Sequence, residues 1–270
     1  MQPSFSKQSV SKNQFFLHKL VKGSLATYEV KGCTLEIVTD RDRLIFPYEA
    51  YNQLHFEIQK AIQAENNDLF LYVSDWMGEG RHIVHFSDQG VNPIQVVNGL
   101  IDFLVIDEYL YMLFDEEGLF DENADNQLNY YSENAVVRMK PHDQRIEKVF
   151  PESYTHSIVD AETFCYDGQD ELFIYYYADD GEERCLMYNL RSQKMKEYKL
   201  SNVGWSRASC IDGQFTYTTN NTELLKYDRD MMLRQSYPIF NENTLSIHAT
   251  GGYQDIAIMV NDNACYLLDK

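Results

Sequence analysis

The sequence predicts an all-β fold in which a unit of four antiparallel strands recurs along the chain. Two observations predict it. Short apolar runs alternate with polar turns throughout the 270 residues, and several of these runs carry apolar or aromatic side chains on both faces. A strand without a water-facing side has to be covered by neighbours on both sides. We therefore expect sheets that pack face to face.

The centre of each unit is a strand, a polar turn and a second strand. The clearest example is ELFIYYYADDGEERCLMYNL at residues 171–190, where Asp180-Gly181 supplies the positive φ of a tight hairpin turn. Tyr175 is expected to face one neighbouring sheet and Tyr176 the other. Related hairpins lie at residues 33–46 (the weakest match), 68–86, 108–139 with an insertion, 213–227 and 253–268.

Each hairpin is flanked by two further strand candidates. An apolar strand precedes it, at LATYEV, KAIQAE, GLIDFLVI, ETFCYD, RASCI and LSIHAT. A more polar strand follows it, at residues 53–58, 92–97, 144–150, 193–200 and 232–239. The unit is therefore four strands in about 45 residues.

Six units of this size fill the chain, and four-stranded sheets repeated around an axis are the plan of a β-propeller. The chain resembles the β-propeller superfamily at the level of the fold, without the repeat motifs that would name a family. The resemblance implies one domain over residues 1–270, with blades at about 24–58, 60–97, 99–150, 158–200, 205–239 and 245–270. Five blades are the alternative to six.

Residues 48–65 fit two patterns. Leu54, Phe56 and Ile58 alternate as in a strand. One face of a helix would instead carry Tyr51, Leu54, Ile58, Ala61 and Ile62. We favour the strand and keep the helix as the alternative.

The N-terminal segment is expected to close the ring. The last unit ends at residues 265–270 with only three strands, which would leave an open sheet edge. Residues 14–21 have the form of the outer strands, so we expect them to pair with residues 263–268 as the missing strand.

Composition narrows the partners and the compartment. With 42 Asp and Glu against 23 Lys and Arg, the net charge is −19, which repels nucleic acid and anionic lipid. No apolar run is long enough to cross a membrane as a helix. The five cysteines form no C-x-x-C pair, so we expect reduced thiols in a cytoplasmic protein.

The longest interruption of the repeat, residues 115–134, is acidic and has a partial calcium-loop pattern. Asp121, Asn123 and Asp125 have the alternating oxygen spacing of such a loop, but position six is Asn126 instead of Gly. We favour a solvated loop and no cofactor, and keep a calcium site as the alternative.

Two tryptophans complete the candidate binding residues. Trp76 and Trp205 lie at predicted loops or strand entries, where an exposed indole can anchor a partner. Packing between sheets is the alternative role for both. No residue is assigned to catalysis, because the sequence contains no G-x-S-x-G, P-loop, H-E-x-x-H or G-x-G-x-x-G motif.

Two functions fit these observations. The first is a non-enzymatic scaffold that binds a protein partner of basic charge, or a ligand, through its loop faces. The alternative is a small-molecule hydrolase of the lactonase-like or glycan-processing kind, calcium-dependent or not, with its site at the mouth of the central channel. This alternative requires polar side chains from several blades to converge on the axis.

Overall fold

A computed structural model shows an all-β protein. It describes residues 4–9, 14–19, 23–31, 33–47, 57–74, 81–96, 99–115, 135–143, 145–151, 154, 158–201, 204, 206–220, 222–239, 247–260 and 264–269. Within these residues no helix is long and apolar enough to span a membrane.

The strands follow one another as four-stranded antiparallel groups, with one extra strand at the start of the chain. The extra strand is β1 (Ser4–Ser9). The first two groups are β2 (Gln14–Lys19), β3 (Ser24–Lys31), β4 (Thr34–Thr39) and β5 (Arg43–Pro47), then β6 (Glu57–Gln63), β7 (Leu69–Ser74), β8 (His82–Ser87) and β9 (Gly90–Gln95).

The next two groups each form a separate sheet in sequence order. They are β10 (Leu100–Ile106), β11 (Tyr109–Phe114), β12 (Val136–Met139) and β13 (Ile146–Lys148), then β14 (Ile158–Tyr166), β15 (Glu171–Ala178), β16 (Glu183–Asn189) and β17 (Met195–Lys199).

The remaining strands form two more sheets. One contains β18 (Ala208–Asp212), β19 (Phe215–Thr219), β20 (Glu223–Asp228) and β21 (Leu233–Pro238). The other contains β22 (Ile247–Gly251), β23 (Ile256–Val260) and β24 (Ala264–Asp269), and β1 completes it in the order β1-β24-β23-β22.

The first two groups are joined into one eight-stranded sheet through their first strands. Residues Leu17 to Lys19 of β2 pair in parallel with Ala61 to Gln63 of β6. Elsewhere the first strands also contact one another from sheet to sheet, β10 with β14, β14 with β18 and β18 with β22. Sheets arranged with their first strands innermost are the architecture of a β-propeller, and this confirms the predicted fold class.

The two-faced burial of β15 is confirmed. Leu172, Ile174 and Tyr176 belong to a core shared with β10 to β12, whereas Phe173 and Tyr175 pack with residues of β18 and β20. Every one of these side chains is fully buried. Gly181 has the predicted positive φ, at 76°.

The closure of the last sheet by an N-terminal strand is confirmed, but the predicted segment is wrong. Ser4 to Ser9 pair antiparallel with Asp269 to Ala264. Residues 14–19 instead form β2, an innermost strand, in which Phe15 to His18 are all buried. Four consecutive buried side chains require cover on both faces, which an outer strand does not have. The outer strand β21, for comparison, is almost entirely exposed.

The predicted outer strand at residues 53–58 is also wrong. The outer strand of the first group is β5, and residues 57–63 form β6, the innermost strand of the next group. Of the ambiguous region 48–65, residues 57–63 are therefore strand, and residues 48–56 lie outside the described part of the chain. The first unit therefore begins and ends one strand earlier in the chain than predicted.

Candidate functional site at the propeller axis

Polar side chains from all the innermost strands meet around the axis. We call this set the axial cluster, and its members are His18 of β2, Lys60 of β6, Asp102 of β10, Thr163 of β14, Ser209 of β18 and Thr250 of β22. All but Thr250 are buried. Burying a polar group costs free energy unless it is hydrogen-bonded, so we expect the members of the cluster to have hydrogen-bond partners.

One hydrogen-bonded chain spans four of these strands. Lys60 Nζ donates to Asp102 Oδ1, and Thr163 Oγ1 donates to Asp102 Oδ2 at 3.1 Å. Ser209 Oγ lies 3.2 Å from Thr163 Oγ1. Because the single hydroxyl proton of Thr163 points to Asp102, Ser209 is the donor in this last bond. The donors of this hydrogen-bonded series therefore all point toward the carboxylate of Asp102.

His18 is held as a neutral imidazole on the other side of the axis. Its Nε2 lies 3.0 Å from Thr250 Oγ1. Burial, and then the charge of Lys60, lower the pKa of His18 well below its usual value. A Cβ on Gly252 would lie 2.6 Å from His18 Nδ1, so only glycine allows the turn after β22 to pass the ring.

Three innermost strands carry a β-bulge directly before their cluster residue. The strand registers skip Gln59 before Lys60, Ile101 before Asp102 and Glu162 before Thr163. A bulge inserts an unpaired residue and re-aims the neighbouring side chains. The bulges therefore place Gln59, Ile101 and Glu162 at equivalent positions in three successive groups of strands.

Glu162 is the most perturbed carboxyl group of this region. It is only 9% exposed, and burial raises its pKa to about 8, helped by the negative charges of Glu183 and Asp160. Contact with the backbone of Ser206 offsets part of this rise. Among the described residues, Glu162 Oε1 and Ser206 Oγ have no hydrogen-bond partner. At pH 7 this carboxyl group is mostly protonated and able to donate a proton.

Tyr253 closes the channel at the end near the turns between first and second strands. It follows β22 and reaches the opposite strand β10, where its hydroxyl donates to the Val105 carbonyl and accepts from the Val105 N–H at 3.2 Å. The side chain is 2% exposed. Glu162 and Ile101 precede the cluster residues on their strands, toward the opposite end of the axis. Ile101 is 40% exposed there.

The predicted site residues lie in parts of the chain that the structure does not describe. Trp76, Asp121, Asn123, Asp125 and Trp205 all lie outside the described residues, so their roles stay predictions. Within the described residues no group of His, Cys, Asp and Glu side chains is arranged to hold a metal ion.

The axial cluster itself was missed in the sequence. A signal for it was present, because most of the apolar first-strand segments contain a polar residue that becomes a cluster member, such as Asp102 in GLIDFLVI and Thr163 in ETFCYD. The bulges left no comparable signal.

Comparison with known proteins finds likeness in structure but not in sequence. No protein-family model matches the chain, and no curated protein matches it. Virginiamycin B lyase from Staphylococcus aureus, solved as a catalytically inactive variant with quinupristin, superposes with a TM-score of 0.57 at 11% identity, covering 100% of both chains.

Two further solved structures superpose over nearly the whole chain. The aldose sugar dehydrogenase of Streptomyces coelicolor, with bound PQQ, gives a TM-score of 0.54 at 10% identity and covers 99% of this chain and 98% of its own. A proposed gluconolactonase gives 0.51 at 11% identity and covers 97% and 91%. At such identities the likeness shows the β-propeller fold alone.

The prediction of a non-enzymatic scaffold is corrected by these findings. The three neighbours are named as enzymes, and the convergence of polar side chains that the hydrolase alternative required is present at the axis. Because the likeness to these neighbours shows only the fold, the convergence is the finding that favours the alternative over the scaffold.

Proposed function

We propose that the chain is a hydrolase for a small, uncharged ester, lactone or glycoside, with its reaction centre at the end of the propeller axis opposite Tyr253. The observation that carries the proposal is the axial cluster, in which every innermost strand contributes a polar side chain. Apolar side chains would fill this position more cheaply if it served packing alone.

Glu162 is the proton donor in this proposal. Its neutral carboxyl group gives its proton to the departing oxygen as the carbon–oxygen bond breaks. Water supplies the hydroxyl group to the carbon, and the proton lost by water restores the carboxyl group. General acid–base catalysis by one positioned group contributes about 10²- to 10⁴-fold. The Ser206 hydroxyl, beside Glu162, is placed to hold the substrate.

The electrostatics favour an uncharged substrate. Lys60 and Asp102 neutralise each other within the cluster, so its described residues include no unpaired cation that could bind an anion. The net charge of −19 repels anions at long range. Ile101 offers an apolar contact beside the site.

We propose a propeller of six blades, in which each half of the eight-stranded sheet is one blade. We propose that it works in the cytoplasm without a cofactor and without binding nucleic acid or membrane. Calcium binding by Asp121, Asn123 and Asp125, a basic protein partner and binding roles for Trp76 and Trp205 stay predictions.

The test is hydrolysis of a panel of chromogenic esters, lactones and glycosides by the wild type, Glu162→Gln and Glu36→Gln. Glu36 is a matched control, because it is similarly buried (7% exposed) but lies on β4, paired with Arg43 and Lys31. We expect Glu162→Gln to lose at least about 100-fold in kcat/KM and Glu36→Gln to keep it. Absence of turnover across the panel, or equal losses in both variants, contradicts the proposal.

A further inference from the structure

A groove away from the axis has the properties of a second ligand site. It has a volume of about 950 Å³, within the range of small-molecule sites. One wall is the outer strand β5. The other is formed by the turns at residues 64–68 and 87–89 and by His142. It lies between the two halves of the eight-stranded sheet.

The basic residues of the groove are already neutralised. Lys19 Nζ lies 2.7 Å from Asp42 Oδ2, and Arg43 Nη2 lies 2.6 Å from Glu36 Oε1. Neither cation is therefore available to bind an anionic ligand.

Three acidic residues of the groove have no cation to balance them. Among the described residues, Glu65 and Asp88 form no ion pair and are exposed. Asp68 accepts from His85 Nε2 at 2.8 Å, but burial lowers the pKa of His85, so this imidazole is neutral at pH 7. The groove thus carries uncompensated negative charge.

A buried acceptor in the lining also lacks a donor. Gln63 is 8% exposed, and its Nε2 donates to Asn67 Oδ1 at 3.2 Å. Its Oε1 has no partner among the described residues. A buried acceptor without a donor costs free energy, and a ligand N–H would remove this cost.

The β5 wall is apolar. Leu44, Ile45 and Phe46 line it, and Ile45 is 56% exposed. A ligand that fits has ammonium groups for the acidic wall and methylene groups for the β5 wall. We infer that the groove binds a linear polyamine, with an ammonium group donating to Gln63 Oε1 and others facing Glu65 and Asp88. This inference does not depend on the proposed hydrolase.

The test is isothermal titration with spermidine in 150 mM salt. The variants are Glu65→Gln/Asp88→Asn, the charge-matched control Glu182→Gln/Asp230→Asn in the β15–β16 and β20–β21 turns, and Gln63→Met, which removes the acceptor and keeps the net charge. We expect saturable 1:1 binding to the wild type, about tenfold weaker in the groove double variant, several-fold weaker in Gln63→Met, and unchanged within twofold in the control.

Three outcomes would overturn the inference. Equal weakening in the two double variants would mean that spermidine senses only the net charge. Binding that never saturates, or that magnesium displaces at equal charge concentration, would mean the same. Circular dichroism of each variant ensures that the comparison is between folded proteins.

Discussion

Lys60 donates a hydrogen bond to Asp102 across the boundary between two sheets, and the two side chains are only 5% and 9% exposed. Asp102 also accepts from Thr163, so one carboxylate connects three innermost strands. The pair therefore contributes to holding the ring together as well as to the site.

Asp102→Ala should destabilise the protein by about 3 to 5 kcal/mol, because it leaves the Lys60 ammonium buried and unpaired. Asp230→Ala is the control. It breaks an ion pair with Lys196 in which both side chains are exposed, and should cost less than about 1 kcal/mol. Urea denaturation measures both. If Asp102→Ala costs no more than the control, the pair is not the buried link described above.

Tyr175→Ala should cost about 3 to 5 kcal/mol, since it opens a cavity between sheets. Tyr175 is fully buried, whereas Tyr237 lies half-buried on the outer strand β21. We expect Tyr237→Ala to have a clearly smaller effect in the same urea titration. Similar midpoints for the two variants would show that the two-faced burial of β15 contributes little to stability.

The stability of the protein should fall with rising pH because of Glu162. Its pKa is near 4.5 in the unfolded chain and about 8 in the fold. Between these values the folded state keeps a proton that the unfolded state has lost, so stability decreases as pH rises through this window. Glu162→Gln stays neutral and should be more stable than the wild type at pH 9, by on the order of 3 kcal/mol, with little difference at pH 4.

Glu36→Gln tests the sign of this effect. Hydrogen bonds from Arg43 and Lys31 lower the pKa of Glu36, so its ionised form is the one that stabilises the fold. Loss of this charge should destabilise the protein above about pH 4.5 and cannot stabilise it at pH 9. Thermal melts of both variants from pH 4 to 9 measure how the stability of each depends on pH. A parallel shift in the two variants would contradict the assignment of Glu162.

The fold was predictable because its strongest signal is local. The run from Leu172 to Tyr176 has apolar side chains on both faces, and only a strand between two sheets satisfies that pattern. The order of strands near the N-terminus was not predictable in the same way. Residues 14–21 fit an outer strand in form, and the competing partner Ser4–Ser9 has no apolar pattern that marks it as a strand.

The site was less predictable because it depends on register. Lys60, Asp102 and Thr163 are far apart in the sequence, and a bulge precedes each one. A bulge changes the face of the sheet on which a side chain lies. The residue types at Gln59, Ile101 and Glu162 do not indicate a bulge. The pairing of the innermost strands had to be known before these side chains could be placed together.

Removing residues 1–9 should severely destabilise the protein or cause it to aggregate. Ser4 to Ser9 pair with β24 along its whole length, so the truncation leaves the backbone of β24 as an unpaired edge, which is a template for aggregation. The truncation also removes the strand that joins β2, in the first group, covalently to the last sheet.

The control is the full-length double variant Lys7→Ser/Gln8→Ser, which changes side chains of β1 and keeps its backbone. We expect this control to melt near the wild type, because the ladder is made by the backbone. Size-exclusion chromatography and urea denaturation measure both. A truncated protein that stays monomeric and unfolds cooperatively at the wild-type midpoint would show that the ring is closed by the contacts of His18 with Thr250 and of Gly23 with Asp255, without help from β1.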